Sequence, residues 1–307
     1  MKKHLILLLL SFSLAAPIQA AAQFFQLADV GSSAEMIGKG NVTGFSHSAN
    51  GIFDNPASLY RVQDMSLSLF TTTFMEEYHY FNGAYAAKTS LGTVGIGVYS
   101  QAVSDLYDTY ETSDTRIHIQ STFKYQNLLV KAGHAFSPLS NLHLGSSILY
   151  YSNGFTVGNY KSKGYNVEVG GILDLNPLEL SATATNLFTG LDAQYESGGS
   201  ENLAAQLTFS GRYDLGAAEI LGQVRRVEYM PGFLKSAAVG VPLFSDLLHV
   251  SAGYKEFFVL TNIQKTVTLG LGLHVSGVDF DYAYERSDNP FFNHKHYFSM
   301  NLAFGKN

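Results

Sequence analysis

The feature that most constrains this chain is a repeated run of about ten residues in which apolar and polar side chains alternate. From residue 65 onward, each run is followed by a short break. In the run 266–274, every second residue is apolar, namely Val267, Leu269, Leu271 and Leu273. Because successive side chains of a β-strand point to opposite faces, the pattern predicts strands with one apolar and one polar face.

The polar faces of these runs distinguish a membrane barrel from a soluble sandwich, which also alternates. In 278–285, the apolar positions alternate with Asp279, Asp281, Ala283 and Glu285. Carboxylates recur on one strand face, while the opposite face keeps Leu, Val and aromatic residues over many runs. A barrel with an outer face in lipid and an inner face around a watery lumen explains both features.

Composition excludes several other classes of protein. Charged residues make up 14% of the chain and aromatic residues 13%, whereas about a quarter of a typical soluble domain is charged. The 46% of hydrophobic residues excludes disorder, and Glu, Lys and Arg are too scarce for a coiled coil. After the N-terminal stretch, no apolar run approaches the roughly 20 residues of a membrane helix. A chain of this kind that crosses a membrane therefore crosses it as strands.

The N terminus resembles a signal peptide. Lys2 and Lys3 form a basic head, 5–16 is apolar, and 17–22 ends in small residues. We expect a signal peptide over 1–22, with cleavage after Ala20 as the alternative, and export to the bacterial outer membrane. Without the two lysines, 17 basic and 25 acidic residues remain, so nucleic acid is excluded as an expected partner.

Neither a metal nor a cofactor is predicted. The chain contains no cysteine, which excludes disulfides, thiolate metal sites and a lipoprotein anchor. His294 and His296 share a strand face, but no third metal ligand is evident. The acidic loop 104–114 lacks the glycine-centred turn of known calcium loops and is expected to be solvated.

An enzymatic function is also not predicted. Ser152-Asn153-Gly154 is similar to the active-site strand of outer-membrane phospholipases, in which a His two residues before the Ser acts as the base. Tyr150 occupies that position here. Without a base, the hydroxyl of Ser152 cannot be activated as a nucleophile.

Fourteen strands are predicted, in an all-β antiparallel transmembrane barrel. The alternating runs are 65–74, 78–88, 92–103, 115–137, 142–152, 164–175, 178–187, 201–213, 217–227, 232–244, 247–257, 265–275, 278–287 and 293–304. The longer connections are 104–114, 153–163, 188–200 and 258–264. If 115–137 is one protruding strand, every short turn falls at one end, which in such barrels is the periplasmic end. Both termini are then periplasmic as well.

The segment 23–64 does not alternate and carries two short motifs. The first is Gly31-Ser32-Ser33-Ala34 and the second is Asn55-Pro56-Ala57. Pro56 fixes a turn and removes an amide, it favours an extended Asn55, and Ala57 is small enough to pack against a barrel wall. The motifs and their spacing resemble the N-terminal region of outer-membrane proteins similar to FadL and PorV.

That resemblance implies a 14-stranded barrel whose N-terminal segment folds into the lumen as a hatch. It also implies three regions: the signal peptide 1–22, the hatch segment 23–64 and the barrel 65–307. Since an unpaired charge is costly in hydrocarbon, we expect the charged side chains of the strands to face the lumen. These are Lys124, Glu168, Asp174, Glu179, Arg225, Lys255, Asp279, Asp281 and Glu285.

Two functions remain open at this point. The resemblance to FadL implies passive passage of small hydrophobic molecules, with outer-membrane lipid and a hydrophobic small-molecule ligand as partners. The alternative, from the resemblance to PorV, is a barrel that passes no solute and serves type IX secretion or the assembly of surface proteins. The modest length of the longer loops favours transport slightly.

Overall fold

A computed structural model describes residues 30–74, 78–111, 117–157, 161–188, 191, 193–201, 203–259, 262–288 and 294–305. The signal peptide predicted over 1–22 lies outside the described residues, as does the start of the segment 23–64. Among the described residues, no helix is long and apolar enough to cross a membrane.

Fourteen antiparallel strands in the described part of the chain form a closed barrel. The first seven are β1 (Met65–Phe74), β2 (Tyr78–Thr89), β3 (Gly92–Glu111), β4 (Ile117–Leu139), β5 (Leu142–Phe155), β6 (Ser162–Asp174) and β7 (Leu178–Thr185). A short pair, β8 (Ala193–Tyr195) and β9 (Ser200–Glu201), attaches to β6. The other seven are β10 (Gln206–Asp214), β11 (Glu219–Val227), β12 (Leu234–Leu243), β13 (Leu248–Val259), β14 (Asn262–Val275), β15 (Val278–Ser287) and β16 (Lys295–Phe304). The barrel closes where β1 pairs with β16. The strands β7 and β10 pair directly with each other, so the short pair lies between them only in the sequence.

The predicted strand count is confirmed, but two predicted loops are wrong. The strand β3 continues to Glu111, through most of the predicted loop 104–114. Its outer part pairs with β4, which is the single long strand that the turn lengths predicted. Likewise, β13 and β14 run through the predicted loop 258–264. The polar residues of these stretches do not end the strands. Beyond the apolar band of the outer wall, the backbone N–H and C=O groups still form hydrogen bonds with the adjacent strand.

The two faces of the barrel differ as the alternation predicted. Leu269 on β14 is 53% exposed on the outer face, while the adjacent Thr268 is fully buried. An apolar outer wall around a polar interior is the arrangement of a transmembrane barrel.

The two ends of the barrel also differ. Six connections, at 90–91, 140–141, 175–177, 215–218, 244–247 and 276–277, lie at the end from which β1 starts and at which β16 finishes. We call this the short-turn end. The opposite end, which carries the β3–β4 extension and the β8–β9 pair, is the long-loop end.

The described residues before β1 form short helices instead of strands. They are α1 (Ala34–Gly38), α2 (Gly51–Asp54) and a 3₁₀ helix (Pro56–Arg61). The Ser33 hydroxyl caps α1 by accepting from the amide of Met36 at 3.1 Å. Asn55 caps the 3₁₀ helix in the same way, since its Oδ1 accepts from the amide of Ala57 at 2.9 Å. Pro56 follows at the first helical position, where its missing N–H costs nothing.

Candidate functional site

The N-terminal segment (residues 30–62) contacts inward-pointing side chains on opposite sides of the barrel. On one side, the Tyr80 hydroxyl donates to the carbonyl of Gly31 at 3.1 Å. On the other side, the Gln223 side chain of β11 accepts from the amide of Thr43 at 2.8 Å. The amide of Ala49 donates to the Ser66 hydroxyl of β1 at 2.9 Å. Hydrogen bonds to several strands therefore fix the position of the segment relative to the wall.

The first motif lies against β2 and β16. Gly31 has φ of +107°, a backbone conformation that favours glycine. The Asn82 side chain donates to the carbonyl of Ser32 at 2.8 Å. The amide of Ala34 donates to the Ser299 hydroxyl at 3.1 Å. Gly31 and Ser33 therefore have structural roles that depend on their residue type, whereas Ser32 and Ala34 bond to the wall through their backbone.

The second motif lies against β5, β6 and β7. The Asn55 amide nitrogen donates to the Ser181 hydroxyl at 2.9 Å, to the carbonyl of Ala182 at 3.2 Å and to the carbonyl of Gly171 at 3.4 Å. Asn55 is fully buried, so leaving its amide group without these partners would be costly.

Glycines in the wall make this close approach possible. A Cβ at Gly170 would lie 1.8 Å from Asn55 Oδ1, and one at Gly145 would lie 2.3 Å from the amide nitrogen of Ala57. Both distances are too short for any side chain. The inward positions of β5 and β6 are therefore adapted to the Asn-Pro-Ala turn.

A network of ion pairs joins the segment to the short-turn half of the barrel. Lys39 of the segment lies 3.0 Å from Glu35 and 2.8 Å from Glu219 of β11. The pKa of Lys39 is lowered by burial but raised overall by these two carboxylates, so the amine stays charged.

A second group of ion pairs centres on Glu179 of β7. Arg61 of the segment forms an ion pair with this carboxylate. Arg212 of β10 lies 2.6 Å from Glu179 and 3.8 Å from Glu219, so it connects the two groups.

Asp54 is a buried carboxyl group of the segment without an ion-pair partner among the described contacts. Its Oδ2 accepts from the amide of Ser46 at 3.2 Å. Burial raises the pKa of Asp54 to about 6, and the backbone hydrogen bonds from Gly44 and Ser46 limit the rise.

The structure brings most of the predicted lumen charges to the inner face. Buried there are Glu168, Glu179, Lys255, Asp281 and Glu285. Arg225 and Asp279 alternate in phase with buried neighbours on their strands and are partly buried, and Asp174 is exposed at the short-turn end.

Lys124 differs from the prediction. It is exposed at the outer part of β4, in alternation opposite to the buried Asn127, Leu129 and Lys131. At that height β4 projects toward solvent, where a lysine is stable on either face.

Sequence reasoning did not single out several charged residues that lie in the site, namely Glu35, Lys39, Asp54 and Arg61 of the segment and Lys131, Arg212 and Glu219 of the strands. The alternation of β4, β10 and β11 could have identified the three strand residues, because each lies two positions from another inward side chain. Arg61 lies in the non-alternating segment, which offered no such signal.

The long-loop half of the lumen contains a cluster of aromatic and aliphatic side chains, which we call the aromatic cluster. Its wall residues are Phe70, Tyr80, Tyr99, Leu129, Leu149 and Tyr297, each at most 4% exposed. Phe53 of the segment packs on Tyr99 with ring centroids 4.1 Å apart, and Phe70 meets Tyr80 edge-on at 5.5 Å. Such tilted and edge-on contacts are the favourable geometry for aromatic rings. The same apolar core includes Ile37, Ile52 and Phe53 of the segment, so the lumen is apolar where the segment meets this part of the wall and charged on the short-turn side of the segment.

Among the described residues, no group of three or more His, Asp or Glu side chains is arranged to hold a metal ion. His294 and His296 each contact a tyrosine hydroxyl, those of Tyr284 and Tyr282 respectively, on the exposed outer wall.

Comparisons with known proteins identify the fold. No family model and no curated protein matches the chain. Among solved structures, it is similar to the Pseudomonas putida toluene transporter TodX, with a TM-score of 0.59 and 13% identity over 88% of this chain and 96% of that chain. A TodX monoaromatic hydrocarbon channel deltaS2 mutant gives a TM-score of 0.62 at 14% identity, over 92% and 100% of the two chains. A Pseudomonas aeruginosa FadL homologue gives 0.57 at 8% identity, over 89% and 98%. The chain therefore has the fold of the FadL-type barrels.

Proposed function

We propose that this protein is an outer-membrane barrel that lets small hydrophobic molecules pass by diffusion. Its signal peptide would direct export, and the short-turn end with both termini would face the periplasm. The N-terminal segment would act as the hatch of the lumen. The observation that carries the proposal is the aromatic cluster inside the barrel.

An apolar interior is poorly suited to a general porin. Water-soluble solutes lose hydration against such side chains and gain no hydrogen bonds in exchange. An apolar solute instead gains from leaving water, at about 25 cal/mol per Å² of buried apolar surface. The cluster therefore favours apolar over polar solutes.

The segment gives a reason for selectivity. Fourteen strands enclose more space than the wall side chains of a small barrel can fill, and the segment occupies part of that space with buried residues such as Ile37 and Ile52. Since the cluster residues are also buried, passage requires side chains or the segment to move. A solute that matches the cluster chemically would replace the contacts that such a movement breaks.

The similarity to TodX, a protein described as a monoaromatic hydrocarbon channel, supports this proposal. The alternative of a barrel that serves secretion or surface-protein assembly has no observation in its favour among the described contacts. It would be supported by recovery of a protein partner from native membranes together with uptake at the background level.

The test is uptake of the hydrophobic probe N-phenyl-1-naphthylamine by cells that carry the protein in their outer membrane. We expect uptake above that of cells without the protein. Leu149→Asn should lower uptake at least about fivefold, because a polar amide in the cluster makes the presence of the apolar probe there less favourable. Ile119→Asn, at a position 60% exposed on the β4 extension, is the matched control and should leave uptake unchanged. Uptake at background with correctly folded protein, judged by heat-modifiable gel migration, would contradict the proposal.

A further inference from the structure

Two buried ion pairs flank the aromatic cluster. The first joins Lys255 of β13 to Glu285 of β15, at 2.8 Å, and both side chains are 3% exposed. The hydroxyl of Tyr297, a member of the cluster, donates to the same Glu285 oxygen at 3.2 Å. The Lys255 charge is therefore matched by a carboxylate that is itself held by the cluster.

The second pair joins Lys131 of β4 to Glu168 of β6, also at 2.8 Å, with both side chains at most 5% exposed. The Thr185 hydroxyl donates to the same Glu168 oxygen at 2.8 Å. Lys131 follows the cluster residue Leu129 on the inner face of β4. The two pairs thus have the same design: one lysine, one glutamate and one hydroxyl that fixes the glutamate.

Several other cations of the inner face have partners as well. In the short-turn half, Lys39, Arg61 and Arg212 are matched by glutamates. Arg225 and Lys295 also have interaction partners. Within the part of the chain that the structure describes, an incoming anion would therefore meet cations that already have interaction partners.

We infer that Glu168 and Glu285 make the lumen selective for uncharged apolar solutes and against carboxylates of the same size. A solute carboxylate must leave water, and in an apolar interior this is tolerated only beside a cation. To reach Lys131 or Lys255, it would have to displace a glutamate, which would then be buried without its partner. An uncharged solute avoids this cost. This inference rests on the proposed function and names the substrate class of the same lumen.

A cationic solute meets the converse barrier, because it would have to displace a lysine from each glutamate. The two pairs therefore discriminate against charge of either sign, while the aromatic cluster supplies the attraction. Glu168 and Glu285 act as specificity-determining residues, since removing either carboxylate leaves a buried cation able to bind an anion.

The experiment compares uptake of radiolabelled 1-decanol and decanoate, which share a chain length and differ in charge at pH 7.5. Cells carry the full chain in the outer membrane, and cells without it give the background. With the wild-type protein, we expect decanol uptake above background and decanoate uptake at background.

Glu285→Gln should raise decanoate uptake at least about fivefold, because it exposes the charge of Lys255 to the solute. The double variant with Lys255→Met removes both charges of this pair and should lower decanoate uptake below that of Glu285→Gln, although Lys295, which also interacts with Glu285, remains. Glutamine keeps the shape of glutamate. If Glu285→Gln does not assemble, Glu168→Gln is used instead, and it should raise decanoate uptake in the same way by leaving the charge of Lys131 without its carboxylate.

The outcomes separate the inference from the proposed function. Equal uptake of both solutes by the wild-type protein would overturn the selectivity and leave transport intact. Uptake of neither solute would overturn both. Decanoate uptake at background in assembled Glu285→Gln and Glu168→Gln variants would overturn the roles of the two glutamates.

Discussion

The two halves of the lumen hold the N-terminal segment by different chemistry. In the short-turn half, Lys39 and Arg61 of the segment form ion pairs with glutamates of the wall. In the long-loop half, Phe53 packs on Tyr99, and wall aromatics pack on each other. Ion pairs with fixed geometry locate a segment, whereas apolar packing accepts substitution by another apolar group. The difference predicts that loss of an ion pair in the short-turn half loosens the segment more than loss of an apolar contact in the long-loop half.

The largest expected effect comes from removing the segment. A chain without residues 24–58 should conduct ions in planar bilayers, whereas the intact protein should show little or no conductance, because the segment fills space between the strands. The Ile119→Asn variant keeps the segment and serves as the control, so its conductance should match that of the intact protein. Large conductance from the intact protein, unchanged by the deletion, would contradict a hatch inside the lumen.

Lys39→Met tests anchoring in the short-turn half. It leaves Glu35 and Glu219 half-buried without their shared cation, and we expect the free energy holding the segment to fall by about 2–3 kcal/mol, less than for a fully buried pair. Faster amide hydrogen exchange in α1 would report this loss. Lys88→Met, at an exposed position on β2, is the matched control. Equal exchange in both variants would remove the distinction between the halves.

Asn55→Ala tests the Asn-Pro-Ala turn. It removes the side-chain hydrogen bonds from Asn55 to β6 and β7 and the cap of the 3₁₀ helix. The segment should therefore be less stable by about 1–3 kcal/mol. Ser181→Ala removes only one of these partners and should have a smaller effect. Protease cleavage within residues 50–62 measures both. An equal or larger effect of Ser181→Ala would show that Asn55 does not fix the turn.

The smallest expected effect is a dependence on pH through Asp54. Its pKa is raised to about 6 in the folded protein from an ordinary 3.8, so the folded state binds the proton more tightly. The segment should therefore gain about 1 kcal/mol as pH falls from 7 to 5. Hydrogen exchange in α2, corrected for intrinsic rates, measures this gain. Asp54→Asn should abolish it, and a gain that persists in that variant would exclude Asp54 as the source.

The barrel was largely predictable because its signal is local. Alternation in phase with the strand period fixes which face of each strand is apolar, and a one-residue change of register would reverse every side chain. The errors, such as β3 continuing to Glu111, arose where strands leave the apolar band and alternation no longer discriminates. There, pairing with the neighbouring strand decides the length of the strand.

The contacts of the segment were less predictable. The residues Asn55 and Ser181 are 126 positions apart, and nothing in either local sequence indicates that they meet. The glycines of the wall gave part of the signal, since an inward Gly such as Gly97 or Gly270 predicts a close neighbour. Only the folded barrel shows that the neighbour is Phe53 for Gly97 and Gly38 for Gly270.

The sequence by itself determined the strands, their count and the side that faces lipid, because these follow from the alternation of adjacent residues. The tertiary structure decided which charges neutralise each other and where the apolar part of the lumen lies. Lys255 and Glu285 lie on β13 and β15, which are separated by β14, and only the register of these three strands brings the two side chains within 2.8 Å. Local patterning is set by neighbours along the chain, whereas the chemistry of a lumen is set by residues on different strands that the sheet brings together.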